Sequence, residues 1–141
     1  MKLDQEIEKL VVNPKKLFLI DGVGALLSAF LLGVVLVLLE KYFGIPTSTL
    51  FFLASLPIFF AVYDYYCYKK EREKLGRLLQ LIAILNILYC FLSMGFAVYH
   101  YETITYLGWI YISIEILIIL VLAVLEFKVA EKVILNIRKV S

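Results

Sequence analysis

The sequence predicts an all-α membrane protein: four transmembrane helices in an up-down-up-down antiparallel bundle with short loops. Three features of the chain lead there. Of its 141 residues 63% are hydrophobic, and mean hydropathy is +0.94, more apolar side chain than a soluble domain of this size can bury. The apolar residues gather into four stretches of spanning length, about 17–39, 50–68, 78–99 and 103–127. Of the 14 Lys and Arg residues, all but Lys41 lie in the N-terminal segment, the 69–77 segment or the C-terminal tail. Basic residues concentrate on the cytoplasmic side of a membrane. Both termini are therefore expected in the cytoplasm, with the chain multi-pass in the cell inner (plasma) membrane. Residues 1–141 form a single membrane domain.

Residues 1–13 place Leu3, Ile7, Leu10 and Val11 on one helical face, with Lys2, Asp4, Glu6, Glu8 and Lys9 opposite. That pattern reads as an amphipathic interfacial helix, the alternative being a solvated, frayed N-terminus. Asn13-Pro14 supplies a cap and a favoured first-turn residue for the next helix. The first span, 17–39, carries one charge, Asp21. Its apolar run exceeds a signal-peptide core and lacks a small-residue cleavage site, so it is expected to be retained. Asp21, Ala25, Ala29 and Gly33 recur every four residues, with Gly24 and Ser28 alongside, a ladder suited to close helix contact. The D-G-x-G string at Asp21 follows no strand and precedes no Lys-Ser/Thr, which favours packing over phosphate binding.

The second span, 50–68, contains Pro57, which leaves a backbone carbonyl one turn earlier without its helical partner. Asp64 lies near its end among Tyr63, Tyr65, Tyr66 and Tyr68, residues suited to an interfacial aromatic belt. Lys69 to Arg77 reads as a basic loop. In the third span, 78–99, polar and small residues (Gln80, Ala83, Asn86, Cys90, Ser93, Ala97 and, just beyond, His100) follow at steps of three or four. Lipid cannot satisfy such a stripe, so it is expected to face protein. The fourth span, 103–127, sets Gly108, Tyr111, Glu115, Leu122 and Glu126 along one face, and 128–141 reads as a cytoplasmic helical tail.

Glu115 is the residue most in need of explanation. At 1.5 Å per helical residue it stands about 18 Å from either end of its span, near the midplane. A charge there costs about 2.5–3.5 kcal/mol on insertion scales, and desolvation disfavours the anion, so a protonated side chain is expected. Counted from the cytoplasmic charges, Ser28, Pro57 and Cys90 reach the same depth, Asn86 lies about 13 Å deep, and Asp21 and Asp64 about 7 Å. The candidates for binding a ligand or a proton are thus Glu115, Asn86, Ser28, Cys90, Asp21 and Asp64. They outline a polar pocket reaching from the cytoplasm to Glu115, with Ser28, Asn86 or Cys90 as hydrogen-bond partner. Asp21 and Asp64 are expected to be structural, meeting water or Lys15, Lys16, Lys69 and Lys70.

The composition narrows the function. No long basic face points to nucleic acid. Cys67 and Cys90 form no C-x-x-C pair and no His or Cys stands at metal-ligand spacing, so neither a metal nor another cofactor is expected. No nucleophile has an adjacent base, and Asp21 and Glu115 differ by about 11 Å in depth, so no catalytic residue is assigned and no enzyme is expected. The FLIDGVGALLSAFLLGVVLV and ILNILYCFLSMGFAVYHYETITYLGWIYISIE stretches resemble a group of uncharacterised small four-helix bacterial integral membrane proteins. That likeness implies the four-span plan and brings no activity. The single-acid plan is also similar to the small multidrug-resistance transporters, but their essential Glu is in the first span, where this chain has Asp21. Three functions are compatible with these features. One is a non-enzymatic membrane protein whose cytoplasm-facing intramembrane pocket at Glu115 binds a small or amphiphilic ligand, a lipid included, or a proton. The others are an accessory or scaffold subunit and a proton-coupled small transporter. The expected partners are the bilayer itself, a small-molecule or lipid ligand, and a homo-oligomer or membrane-protein partner.

Overall fold

Stretches this rich in Leu, Ile, Val and Phe become helical in an apolar medium because a helix pairs its own backbone N–H and C=O groups within one segment. The computed structural model describes residues 2–140, and no strand occurs among them. Met1 and Ser141, the outermost residues of the predicted N-terminal helix and tail, lie outside the described residues. The elements in order are α1 (Lys2–Val12), α2 (Lys15–Leu38), α3 (Glu40–Phe43), α4 (Thr47–Tyr68), α5 (Arg72–Tyr99) and α6 (Tyr106–Val140). Helices α2, α4, α5 and α6 are each long and apolar enough to cross a membrane.

Two boundaries depart from the sequence reading. The predicted basic loop 69–77 is reduced to Lys69, Lys70 and Glu71, because α5 already begins at Arg72. Arg, Glu, Lys and Leu are good helix formers, and this added turn is used in packing: Leu75 and Gly76 are buried. A Cβ placed on Gly76 would come within 2.6 Å of Ile134. The fourth helix starts three residues late, at Tyr106, and runs without a break through the predicted tail. At 35 residues it is about 52 Å long, well beyond the thickness of a hydrocarbon core.

That extension receives α1. Ile7 and Val11 are buried against Val129, Ala130 and Val133, and Lys132 Nζ lies 3.1 Å from Glu8 Oε1. Arg72 Nη1 donates to the Val12 carbonyl at 2.9 Å. The N-terminal helix is thus seated on protein along one edge.

Within the bundle α2 packs chiefly on α4, and α5 on α6. Small residues permit the close approaches: a Cβ on Gly33 would lie 3.2 Å from that of Ala54, and one on Gly22 would lie 3.4 Å from that of Asp64. Near Gly33, α2 widens into a π-helical turn over Leu31–Val35. By contrast, α2 and α6 meet only at isolated points. At one end of the bundle the 39–46 and 103–108 segments interlock. Gly44 takes φ +73°, a left-handed conformation that Gly adopts without steric cost. Thr105 N–H donates to the Phe43 carbonyl at 3.1 Å.

The distribution of side chains is the reverse of that in a water-soluble protein. Large apolar residues such as Phe30, Phe59, Phe91 and Val121 are exposed, whereas Asp21, Asp64, Asn86, Ser93, Glu115 and Glu126 are buried. Apolar packing is confined to two clusters, one around Leu17, Leu79 and Val129 and the other around Leu36, Leu53 and Ile112. A layer of carboxyl, amide and hydroxyl groups lies between them. In lipid the apolar exterior is at no disadvantage, and helix association depends on close packing and interhelical hydrogen bonds.

Candidate functional site

Glu115 faces the interior of the bundle and accepts three hydrogen bonds. Ser28 Oγ on α2 donates to Oε2 at 2.7 Å, Tyr111 OH one turn earlier on α6 donates to Oε2 at 2.8 Å, and Tyr89 OH on α5 donates to Oε1 at 2.9 Å. Three helices therefore converge on one carboxyl group. Tyr111 reaches it because residues four apart share a helix face. Tyr89 reaches it from the buried stripe of α5. Hydroxyl donors at these distances supply the hydrogen bonds that a carboxylate lacks in hydrocarbon.

A second polar centre lies further along the same helices. Asn86 Nδ2 donates to Asp21 Oδ1 and to Glu126 Oε1, both at 3.0 Å. Asp64, on α4, packs against α2 beside Asp21, its Oδ2 3.8 Å from where a Cβ on Gly22 would stand. Glu126 and Asp21 are brought together by that shared Asn86 amide nitrogen. Exposure is 4% for Asp21, 1% for Asp64 and 0% for Glu126. Among the described residues, no group of three or more His, Cys, Asp and Glu side chains is arranged to hold a metal ion.

Between the two centres is a cavity of about 270 Å³ to which all four long helices contribute. Ser28, Tyr89, Tyr111 and Glu115 form one polar wall, Asp21 and Asn86 another, and Pro57, Phe60, Leu31, Ile119 and Leu122 most of the rest. Four lining residues are themselves exposed: Gly24 and Leu27 on α2, and Ile114 and Ile118 on α6. The cavity thus opens sideways, along the seam where α2 and α6 hardly touch.

Of the predicted candidates, Glu115 and Ser28 come together directly, and Asn86 and Asp21 stand in the opposite wall. Asn86 does not reach Glu115, because its amide is engaged by Asp21 and Glu126. Cys90 does not line the cavity, and its thiol points to the Ile116 carbonyl at 3.9 Å. Asp64 is in the second centre, outside the cavity wall. The expectation that Asp21 and Asp64 meet water or lysine is overturned. Lys15, Lys69 and Lys70 lie over the rings of Tyr68, Tyr65 and Tyr66, with Nζ 5.9, 4.5 and 4.2 Å from the ring centroids. The two aspartates face inward instead. The physical reason is rotation about the helix axis: depth counted along the chain places a carboxyl near the interface without saying which way it points.

The small-residue ladder of α2 is also divided. Its middle, Gly24, Ala25 and Ser28, lines the cavity, and a Cβ on Gly24 would meet nothing within 4 Å. Close contact is made at its far end by Gly33, and by Gly22, a residue outside the predicted ladder. Sequence reasoning did not assign Tyr89, Tyr111 or Glu126 to a site. For Tyr111 and Glu126 a signal existed, since both fall on the Glu115 face of α6. Tyr89 carried one too, standing three residues after Asn86 and four before Ser93 on the stripe of α5, although the sequence reading did not include it there. Comparison of the chain with protein-family models, with curated proteins and with solved structures finds no match.

Proposed function

We propose that this chain is a non-enzymatic integral membrane protein that binds a small amphiphilic ligand in the cavity beside Glu115. In this reading the four long helices run up-down-up-down and antiparallel in the inner membrane, with both termini cytoplasmic. The carrying observation is the composition of the cavity wall: one carboxyl group ringed by three hydroxyls, in a chamber otherwise mostly apolar, with a lateral opening. A ligand site typically combines an apolar enclosure with a few convergent polar groups. At about 270 Å³, the chamber is just under the range for small-molecule sites, roughly 300–1,000 Å³, which suits a slender ligand. An alkyl chain entering between α2 and α6 would keep its apolar contacts throughout, while its head group reached Glu115. A primary amine suits that position, since it brings N–H donors to an oxygen, Oε1, that accepts from Tyr89 alone.

The test uses dodecylamine and dodecanol as probes of the protein in lipid nanodiscs. Both are expected to raise the unfolding temperature, by up to about 2.7 kcal/mol of stability at a hundredfold excess over Kd. Gly24→Trp, which fills the chamber from its open side, should abolish the effect of both, and Glu115→Gln should weaken the amine more than the alcohol. Stabilisation that survives Gly24→Trp, or none with the wild type, would remove the cavity as a binding site. A proton-coupled small transporter is the second reading. It is favoured by Asp21, which stands in the cavity wall and among the carboxyl groups of the second centre at once.

A further inference from the structure

The second centre holds more acceptors than donors. Asp21, Asp64 and Glu126 bring six carboxyl oxygens into a space where Asn86 offers the single amide group that reaches any of them, bonding one oxygen of Asp21 and one of Glu126. Asp21 Oδ2, both oxygens of Asp64 and Glu126 Oε2 are buried with no hydrogen-bond donor among the described residues. Among the described residues no ion pair joins a Lys or Arg to any of the three. The titratable neighbours do not compensate. On α4, Tyr63 OH donates to the Leu78 carbonyl at 3.1 Å and Cys67 is buried, while Lys70 at the end of that helix lies over the Tyr66 ring. From α5 comes Asn86, and from α2 and α6 come Asp21 and Glu126 themselves.

Ionised carboxylates are acceptors only, and like charges in contact repel. Asp21 and Glu126 nonetheless converge on one amide nitrogen, and Asp64, packed against Gly22 next to Asp21 in sequence, is buried with neither oxygen bonded. A hydrogen bond between two carboxyl groups requires one of them to carry its proton. One proton in each pair would turn the four orphaned oxygens into a connected chain, Asp64 to Asp21 to Glu126, with the Asn86 amide closing the other side. We propose that Asp21, Asp64 and Glu126 form a proton-binding site, separate from Glu115, in which three carboxyl groups share protons across these two pairs. The site takes about two protons, one per pair, leaving one negative charge directed at the Asn86 amide. Because Asp21 also lines the cavity, the site would communicate with whatever occupies that chamber. Its existence does not depend on there being a ligand.

The experiment measures the protons directly, in nanodiscs near neutral pH. Infrared spectroscopy should show the C=O stretch of protonated carboxyl groups, shifted on exchange into D₂O. The Glu115→Gln protein, in which the first centre cannot contribute, should retain that band. Asp64→Asn with Glu126→Gln, where amides replace the donors and spare the fold, should lose it. Unfolding in SDS in a weakly buffered dye solution should release about two protons per chain from the Glu115→Gln protein. The further Asp64→Asn/Glu126→Gln substitutions should abolish that release. Should the substituted protein fail to fold, the band and the proton count of the Glu115→Gln protein still decide the matter. A band that disappears with Glu115→Gln, or no proton release, would overturn the proposal. So would loss of the band on adding Na⁺ at constant ionic strength, which would mark a cation site instead.

Discussion

Tyr89→Phe removes one hydroxyl from a buried position and leaves the ring packing in place, so its cost reports on Glu115 almost alone. The two carboxyl oxygens are not equivalent. Oε1 accepts from Tyr89 only, at 2.9 Å, whereas Oε2 accepts from both Ser28 at 2.7 Å and Tyr111 at 2.8 Å. Loss of the Tyr89 hydroxyl therefore strips one oxygen of its donor, while Tyr111→Phe leaves the other still bonded. Interhelical hydrogen bonds in membranes average about 0.6 kcal/mol with an upper bound near 1.7, and an oxygen left without a donor adds about 1–3 kcal/mol. The expected cost is about 1.5–2.5 kcal/mol for Tyr89→Phe and about 0.5–1 kcal/mol for Tyr111→Phe. Glu115→Leu, which orphans all three hydroxyls, should exceed both at about 3 kcal/mol. In the Glu115→Leu background, adding Tyr89→Phe should cost close to nothing, because the acceptor is already gone. Reversible SDS unfolding in mixed micelles, followed by helicity and by the fluorescence of Trp109, provides all four values. Equal costs for the two tyrosines, or a Tyr89→Phe cost undiminished by Glu115→Leu, would refute this account of the site.

The packing contrasts can be read in the same assay. Gly76→Leu should destabilise strongly, since even its Cβ would meet Ile134 at 2.6 Å, while Gly95→Leu, whose Cβ meets nothing within 4 Å, should be neutral. Gly44→Ala should cost at least about 1–2 kcal/mol from its φ of +73°, and more because the new Cβ would collide with the Thr103 carbonyl. Orientation can be checked by labelling whole cells with an impermeant thiol reagent, the native Cys67 and Cys90 being buried. Cysteines introduced at Glu73 and Lys139 should stay unlabelled and one introduced at Ser48 should react. The reverse pattern would invert the topology.

The number of long helices was legible in the sequence because hydropathy is a local property: a run of apolar side chains reads the same wherever the chain goes. The inward stripe of α5 was legible for a related reason, as periodicity fixes which residues share a face. Ala83, Asn86, Cys90, Ser93 and Ala97 are all buried. The depth match of Ser28 with Glu115 followed from the helical rise alone. Partner choice did not follow. Asn86 is bonded to Asp21 and Glu126, Cys90 is turned away, and the hydroxyls completing the Glu115 centre come from Tyr89 and Tyr111. Those assignments depend on the rotation of each helix about its axis and on which pairs pack tightly, and a periodic pattern constrains both only to within a face. The clearest case is Asp64. Among tyrosines and lysines at the end of α4 it reads as an interfacial charge, yet the α2–α4 contact at Gly22 draws it inward and buries it. The cavity arises in the same way, because α2 is committed to α4 and α6 to α5, which leaves the seam between α2 and α6 unfilled.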